Sequence, residues 1–170
     1  MTGVARWSSH SADAVRAWSA AAAVVDPEVP VLTIDDLGIL REVTVTDDGV
    51  NVVVTPTYSG CPAMEAIRQD LQRALGEAGF GPVTVRLALT PAWTTDWISD
   101  AGRAALEEFG IAPPSGGAPV IGAVRVRMAV KCPHCQSLDT REISRFGSTS
   151  CKALYECAAC GEPFDYFKAF

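Results

Sequence analysis

The sequence predicts an α+β fold with two parts: a small three-stranded mixed sheet with about three helices, followed by a small β module built around a metal site. Alternating apolar runs flank a turn sequence, and apolar residues recur at helical spacing before and after them, which predicts the first part. Two Cys-x-x-Cys pairs near the end of the chain predict the second part. The predicted domains are residues 1–111 and 123–170, joined by a proline- and glycine-rich linker over 112–122.

The chain has 170 residues and a formal net charge of −6, and this length suits one domain and a small module. Residues 1–111 hold fifteen acidic and seven basic side chains, whereas residues 112–170 hold five and seven. The sequence lacks the basic stripe that phosphate binding requires, so nucleic acid is not an expected partner. No apolar run approaches the roughly 18 residues of a membrane span, so no membrane association is expected either. Six cysteines without an export signal favour a cytoplasmic protein with metal or redox chemistry over disulfides.

The first predicted element is a helix over 11–25. Asp26-Pro27 ends it, because the residue before a proline is pushed out of the α region. The face that we expect to be buried has helical spacing and contains Val15, Trp18, Ala22 and Val25. A single capped helical turn is predicted over 33–38, between a threonine and a glycine.

Two strands are predicted over 39–46 and 50–55. They are joined by Asp47-Asp48-Gly49, and aspartate and glycine tolerate the positive φ that a tight hairpin needs. A helix follows from just after Cys61 to about Ala78. The stripe that we expect this helix to bury contains Met64, Ile67, Leu71 and Leu75.

A third strand is predicted over 83–89, with its alternating apolar residues on one face. A third helix is predicted to begin at residue 95 or 96 and to end at 109. Trp93 and Trp97 lie at the corner before this helix, and we interpret them as packing residues rather than as a ligand-binding pair.

Cys61 lies at the turn between the second strand and the second helix. Pro62 suits a first helical position, because its missing N–H would have no partner there. Cys61 is therefore expected at or next to the N-cap, where the helix dipole lowers a thiol pKa and favours the metal-binding thiolate. The alternative is a small buried residue at a strand end. Because the histidines, His10 and His134, are not natural bases for Cys61, hydrolase or acyl-transfer chemistry is poorly supported.

The two Cys-x-x-Cys pairs are Cys132 with Cys135 and Cys157 with Cys160. Their spacing is typical of a four-thiolate zinc ribbon, so we predict one structural zinc ion per chain. A mononuclear iron site would look identical in sequence. Metal binding is expected to supply much of the folding free energy of so small a module. A closed site has no open position for catalysis, and we expect His134, inside the first pair, to be an exposed side chain.

Cys151 lies six residues before the second cysteine pair, too far away to belong to it. We predict a buried structural thiol, and a second reactive thiol facing Cys61 is the alternative. A strand over 124–130 is predicted to lead into the first pair. The chain ends with more aromatic side chains than one ribbon sheet easily hides, which predicts an apolar surface that docks on a partner or on the first domain. These aromatic residues are Phe164, Tyr166, Phe167 and Phe170.

Three motifs in residues 11–111 carry a resemblance to a known family: Asp26-Pro27-Glu28 with Pro30, Asp36-Leu37-Gly38-Ile39, and Thr55-Pro56-Thr57-Tyr58-Ser59-Gly60-Cys61-Pro62. They resemble the small α+β family of iron–sulfur cluster assembly factors that includes SufT-like proteins and the targeting subunit of cytosolic cluster assembly. With its ribbon, the segment 146–155 and its aromatic end, the full chain resembles the PaaD-type family of accessory subunits of the phenylacetyl-CoA (ring 1,2-) epoxidase complex.

This resemblance implies a non-catalytic accessory subunit in aerobic phenylacetate catabolism, with the oxygenase or the reductase of the epoxidase system as its partner. Cys61 would help to assemble or deliver an iron–sulfur cluster that is bound transiently. Asp26 and Glu28 would shape the same site, although helix termination and surface solvation explain them equally well. The alternative function is a structural or scaffolding subunit that binds the oxygenase and holds only its own zinc.

The sequence leaves a homodimer open. It contains no Glu-x-x-His pair of the di-iron type, so the chain is not expected to be the oxygenase. It also has no flavin or nicotinamide fingerprint, so it is not expected to be the reductase.

Overall fold

A computed structural model of the chain describes residues 12–58, 60–114 and 129–168. The chain divides into two compact units, residues 1–93 and 94–170, called the first and the second unit below. The α+β class and the three-stranded mixed sheet are as the sequence predicts. Among the described residues, none of the helices combines the length and the apolar character needed to span a lipid bilayer.

The first unit is a three-stranded sheet with two helices. Its strands are ordered β1-β2-β3, with β1 antiparallel and β3 parallel to β2, so β3 forms one edge. The predicted hairpin between β1 and β2 is confirmed. Helix α1 packs on β1 and α2, and α2 packs on β3. The elements are α1 (Ala12–Ala22), β1 (Leu40–Thr46), β2 (Gly49–Val54), α2 (Ala63–Glu77) and β3 (Val83–Leu87).

Helix α1 buries a different face from the one that the sequence predicts. Val15 is 48% exposed and Val25 is 44% exposed, and α1 already ends at Ala22. The packing is through small side chains, which let the helix approach its neighbours closely and which a search for large apolar residues does not select. The buried residues of α1 are Ala14, Ala17, Trp18 and Ala21.

The predicted buried stripe of α2 is confirmed, because Met64, Ile67, Leu71 and Leu75 are all buried. Strand β3 ends at Leu87, earlier than predicted. Leu87 is 47% exposed and Leu89 is 61% exposed, so the apolar alternation of this segment does not correspond to a fully buried face.

Gly49 is a position where the backbone requires glycine. Its φ is +136°, and a Cβ atom there would collide with the backbone carbonyl oxygen of Pro82, which accepts the N–H of Val50 at 2.9 Å. We expect Gly49→Ala to lower the free energy of unfolding by about 2 kcal/mol. The matched control is Gly76→Ala, because Gly76 lies in α2 with open space around it. That change should raise the free energy of unfolding by about 0.5–1 kcal/mol. Urea denaturation measures both, and equal effects would contradict the prediction.

The second unit contains a four-stranded sheet with the order β4-β7-β6-β5, in which β4 is parallel to β7 and the other pairs are antiparallel. Because β4 pairs with β7, the compact unit begins well before the boundary that the composition predicts at residue 111. That domain boundary stays a prediction. The elements are a 3₁₀ turn (Thr95–Trp97), α3 (Asp100–Glu108), β4 (Ile111–Ala112), β5 (Thr140–Ser144), β6 (Lys152–Cys157) and β7 (Pro163–Phe167).

The third helix is shorter than predicted, because two side-chain caps divide its segment. The hydroxyl of Thr94 accepts the N–H of Asp96 at 3.0 Å and starts the 3₁₀ turn. The hydroxyl of Ser99 accepts the N–H of Gly102 at 2.9 Å and starts α3. Of the two tryptophans, Trp93 is buried, and its indole N–H donates to the carbonyl oxygen of Leu37 at 2.8 Å.

The prediction that the final aromatic residues form an exposed surface is wrong for the residues that the structure describes. Phe164 and Phe167 are buried in the ribbon, and Tyr166 packs edge-on against Tyr155. The four-stranded sheet and the cysteine core give these rings an interior of their own. Phe170 and most of the predicted strand over 124–130 lie outside the described residues.

Candidate metal centre and thiol site

The first cysteine pair lies in a tight turn that points both sulfurs in one direction. The N–H of Gln136 donates to the carbonyl oxygen of Cys132 at 2.9 Å, and the N–H of Cys132 donates to the carbonyl oxygen of Ser137 at 2.9 Å. Gln136 has a φ of +65°, a conformation that costs a non-glycine residue roughly 1 kcal/mol. Its side chain donates to a carboxylate oxygen of Glu107 at 3.1 Å, which ties the turn to α3.

The second pair lies in a turn of the same construction. The N–H of Gly161 donates to the carbonyl oxygen of Cys157 at 2.8 Å, and the N–H of Cys157 donates to the carbonyl oxygen of Glu162 at 3.0 Å. Gly161 has a φ of +76°. The residue after each Cys-x-x-Cys pair is therefore left-handed, and sequence reasoning missed this position because only the second turn has glycine there.

The four sulfur atoms, those of Cys132, Cys135, Cys157 and Cys160, lie within 4.8 Å of one another. The sulfurs of Cys132 and Cys160 are 3.9 Å apart, and those of Cys135 and Cys157 are 3.5 Å apart. A tetrahedral zinc site with Zn–S bonds of about 2.3 Å has sulfur–sulfur distances of roughly 3.8 Å. The four thiols therefore fit one tetrahedral metal ion, as the sequence spacing predicts.

The pKa values of these thiols show why a cation is needed. The backbone N–H of Cys160 lowers the pKa of Cys157 to about 7, with a further contribution from the N–H of Ala159. The backbone N–H of Ser137 favours the thiolate of Cys135, but the neighbouring sulfurs and desolvation outweigh it and raise its pKa to about 12. Neighbouring thiolates repel each other, so all four ionise together only around a metal ion.

Cys61 lies between β2 and α2 and is 9% exposed. Its N–H donates to the carbonyl oxygen of Tyr58 at 3.3 Å, and its own carbonyl accepts the N–H of Met64 at 3.3 Å. Pro62 is the N-cap, and α2 begins at Ala63, one position later than the sequence predicts. The thiol therefore lies just before the positive end of the helix.

The predicted lowering of the Cys61 pKa is wrong. Burial raises the pKa of the thiol most, and the carboxylates of Glu28 and Asp26 raise it further. The backbone N–H of Ala63 and the Tyr58 side chain act in the opposite direction and are outweighed. Cys61 is consequently a protonated thiol at neutral pH, and its anion needs an added positive charge.

The structure brings Asp26 and Glu28 into electrostatic range of Cys61. Asp26 is buried, and one carboxylate oxygen accepts the N–H groups of Glu28 at 2.9 Å and Val29 at 2.8 Å. It therefore holds the turn after α1 rather than solvating the surface. Glu28 is half-buried beside it.

We expect Glu28→Gln to lower the Cys61 pKa, because it removes a negative charge that opposes the thiolate. At a fixed mildly alkaline pH, iodoacetamide should then alkylate Cys61 faster, as followed by peptide mass spectrometry, and the pH profile should shift to lower pH. Glu42→Gln is the control, since Glu42 is exposed on β1 and does not contribute to the Cys61 pKa shift. An unchanged profile in Glu28→Gln would contradict the electrostatic role of Glu28.

Cys151 is buried in the second unit. Its sulfur lies 3.0 Å from the hydroxyl of Thr149, and its carbonyl accepts the N–H of Lys168 at 3.0 Å. Its structural role stays a prediction. His134 is exposed, as expected of a side chain outside a shell of four cysteines.

The mixed sheet with its thiol turn, followed by the four-cysteine ribbon, defines a chain that joins an iron–sulfur cluster assembly domain to a metal-binding ribbon. Residues 15–87 match the family described as iron–sulfur cluster assembly protein. Residues 117–168 match the family described as PaaD zinc beta ribbon domain. The first match contains Cys61 and both carboxylates, and the second contains all four ribbon cysteines.

Similar proteins narrow this class. The PaaD-type component of 1,2-phenylacetyl-CoA epoxidase from Escherichia coli (strain K12) is 50% identical over 89% of this chain and 90% of its own length. An Fe-S protein maturation auxiliary factor of Porphyromonas gingivalis is 37% identical over 45% of this chain and 74% of its own length. The crystal structure of a domain of unknown function, DUF59, from Bacillus anthracis is 25% identical, covers 54% of this chain and 89% of that chain, and superposes with a TM-score of 0.51. The chain belongs to the PaaD family of phenylacetyl-CoA epoxidase components.

Proposed function

We propose that this chain is an accessory subunit of the phenylacetyl-CoA epoxidase system that uses Cys61 to assist assembly of an iron–sulfur cluster in a partner protein. One observation carries this proposal: Cys61 is the single cysteine of the first unit, in a fold that matches iron–sulfur assembly proteins. The first unit between residues 12 and 93 contains no histidine and no lysine. A base-activated nucleophile is therefore not available there.

The environment of Cys61 suits a ligand that forms only when metal arrives. Burial and the two nearby carboxylates keep the thiol protonated, and a metal cation supplies the positive charge that stabilises the thiolate. Stable iron–sulfur clusters are held by four thiolates. One thiolate therefore binds a cluster weakly, and weak binding suits a protein that passes the cluster on.

The ribbon has a different role in this proposal. Its four sulfurs close the coordination shell and leave no position for substrate, so we assign it one structural zinc ion. The two cysteine sites are then separate in purpose, because the ribbon keeps its metal and Cys61 releases its own. A cytoplasmic location stays a prediction, because free thiols persist in reducing compartments.

Metal analysis of the anaerobically purified chain tests both assignments. We expect one zinc per chain, no iron and no visible absorption bands, because a cluster at Cys61 would be lost during purification. Stoichiometric iron with sulfide and a visible absorption band would contradict transient binding at Cys61. One iron per chain in place of zinc would contradict the zinc assignment.

A second candidate function is a structural subunit that binds the oxygenase and holds only its own zinc. Large exposed apolar side chains of the second unit favour it, since such residues mark binding surfaces. Leu138, Ile143 and Phe146 are the examples in the ribbon. In that case the cluster content of the reductase would not depend on this chain.

A further inference from the structure

Two exposed leucines, Leu87 and Leu89, lie at the carboxyl end of β3. They are called the leucine surface below. The N–H of Ala88 donates to the carbonyl oxygen of Val54 at 2.9 Å, which fixes this end of β3 beside the end of β2. Val54 is followed directly by the loop that carries Cys61. The leucine surface is therefore at the same end of the sheet as the thiol.

The strand register shows that this exposure is not that of an outward-facing residue. In the parallel pair, Val54 is the Cα partner of Leu87, and Val52 is the partner of Val85. Val52 and Val54 are almost fully buried, and Leu87 lies on their face of the sheet yet is half-exposed. The layer that covers β2 therefore stops short of the end of β3, and Leu89 continues the uncovered apolar surface beyond the strand.

The charge around the leucine surface selects the kind of partner. Between residues 12 and 93 the first unit carries eleven Asp or Glu and only five Arg. Glu28 acts electrostatically on Cys61, so negative charge reaches the thiol itself. A complementary surface presents apolar side chains flanked by lysine or arginine, because opposite charge attracts the partner and like charge excludes others.

We propose that the leucine surface, together with Glu28, is the docking site of the protein with which Cys61 exchanges a cluster, and that this protein presents an apolar contact with a basic rim. The inference rests on the function proposed for Cys61 and adds where and how its partner binds. A cation of the partner beside Glu28 would also offset the charge that opposes the Cys61 thiolate. Docking and formation of the metal-binding thiolate would then be coupled.

The test measures the affinity of the full chain for the purified oxygenase and reductase components of the epoxidase system, each added alone. Leu89→Asp alters a side chain outside any strand, and Leu87→Asp with Leu89→Asp removes the whole surface. We expect both variants to bind one component about tenfold or more weakly. Val15→Asp is the matched control, because Val15 is similarly exposed on α1, and it should bind like the wild type. Wild-type binding should weaken with added salt.

Unchanged affinity in the folded Leu89→Asp variant, or binding of neither component by the wild type, would overturn the docking surface. A dimer of this chain that both leucine variants dissociate would overturn it as well, since a second copy would then occupy the surface. Cys61→Ser separates the two proposals, because it should bind normally and fail to supply the cluster. If Cys61→Ser supplied the cluster while the leucine variants bound weakly, docking would stand and the role of Cys61 would fail.

Discussion

Replacement of Cys61 by serine is expected to reduce the cluster content of the partner reductase and the epoxidase activity of the reconstituted system by about tenfold or more. Serine keeps the size of the side chain and removes the soft sulfur ligand that iron–sulfur clusters require. The fold should survive, because the backbone hydrogen bonds of Cys61 use groups that serine also has. The readouts are iron and sulfide per reductase and turnover of phenylacetyl-CoA.

The control for this experiment is Cys151→Ser, which changes the other cysteine that is not part of the ribbon cluster. We expect Cys151→Ser to lower stability modestly and to leave the cluster content of the reductase unchanged. A fully loaded reductase in the presence of Cys61→Ser would remove the maturation role and leave the structural alternative. Loss of activity in both variants would mean that stability, not the thiol, was being measured.

The second large effect is expected from Cys157→Ser. Cys157 is fully buried in the ribbon core beside Cys132 and Phe164, and its sulfur lies 3.5 Å from that of Cys135. Structural zinc contributes roughly 10–16 kcal/mol of binding free energy in comparable small modules, so loss of one ligand should unfold the ribbon. We expect less than one zinc per chain, loss of ribbon signals in NMR spectra and rapid proteolysis after residue 114.

Two observations check this result. A strong chelator should reproduce the unfolded ribbon in the wild type, and zinc should restore it. Cys151→Ser again serves as the control, because it should keep one zinc per chain. An unchanged zinc content in Cys157→Ser would contradict the assignment of the four cysteines as ligands.

Much of the fold could be predicted because its signals are local. The stripe of α2 repeats large apolar residues at helical spacing, and the turn between β1 and β2 contains residues that tolerate positive φ. The ribbon cysteines could be predicted for the same reason, since two short Cys-x-x-Cys turns each place two sulfurs on one side. Their meeting in space was implied only by the chemistry of a shared metal ion.

The errors have a common physical origin in non-local packing. The buried face of α1 is made mostly of alanines, whose importance depends on how closely its neighbours approach. The final aromatic residues are hidden because β4 pairs with β7 and enlarges the ribbon sheet. The division of the third helix depended on two short side-chain caps rather than on hydrophobic periodicity.

The sequence by itself determined the fold class, the order of the elements, the four metal ligands and the place of Cys61 at a strand-to-helix turn. The tertiary structure decided the ionisation of that thiol. Helix position alone predicted a lowered pKa, but burial and the carboxylates of Glu28 and Asp26 raise it. Those carboxylates are more than thirty residues away in sequence, and electrostatic interactions depend on distance in space, which only the folded chain sets.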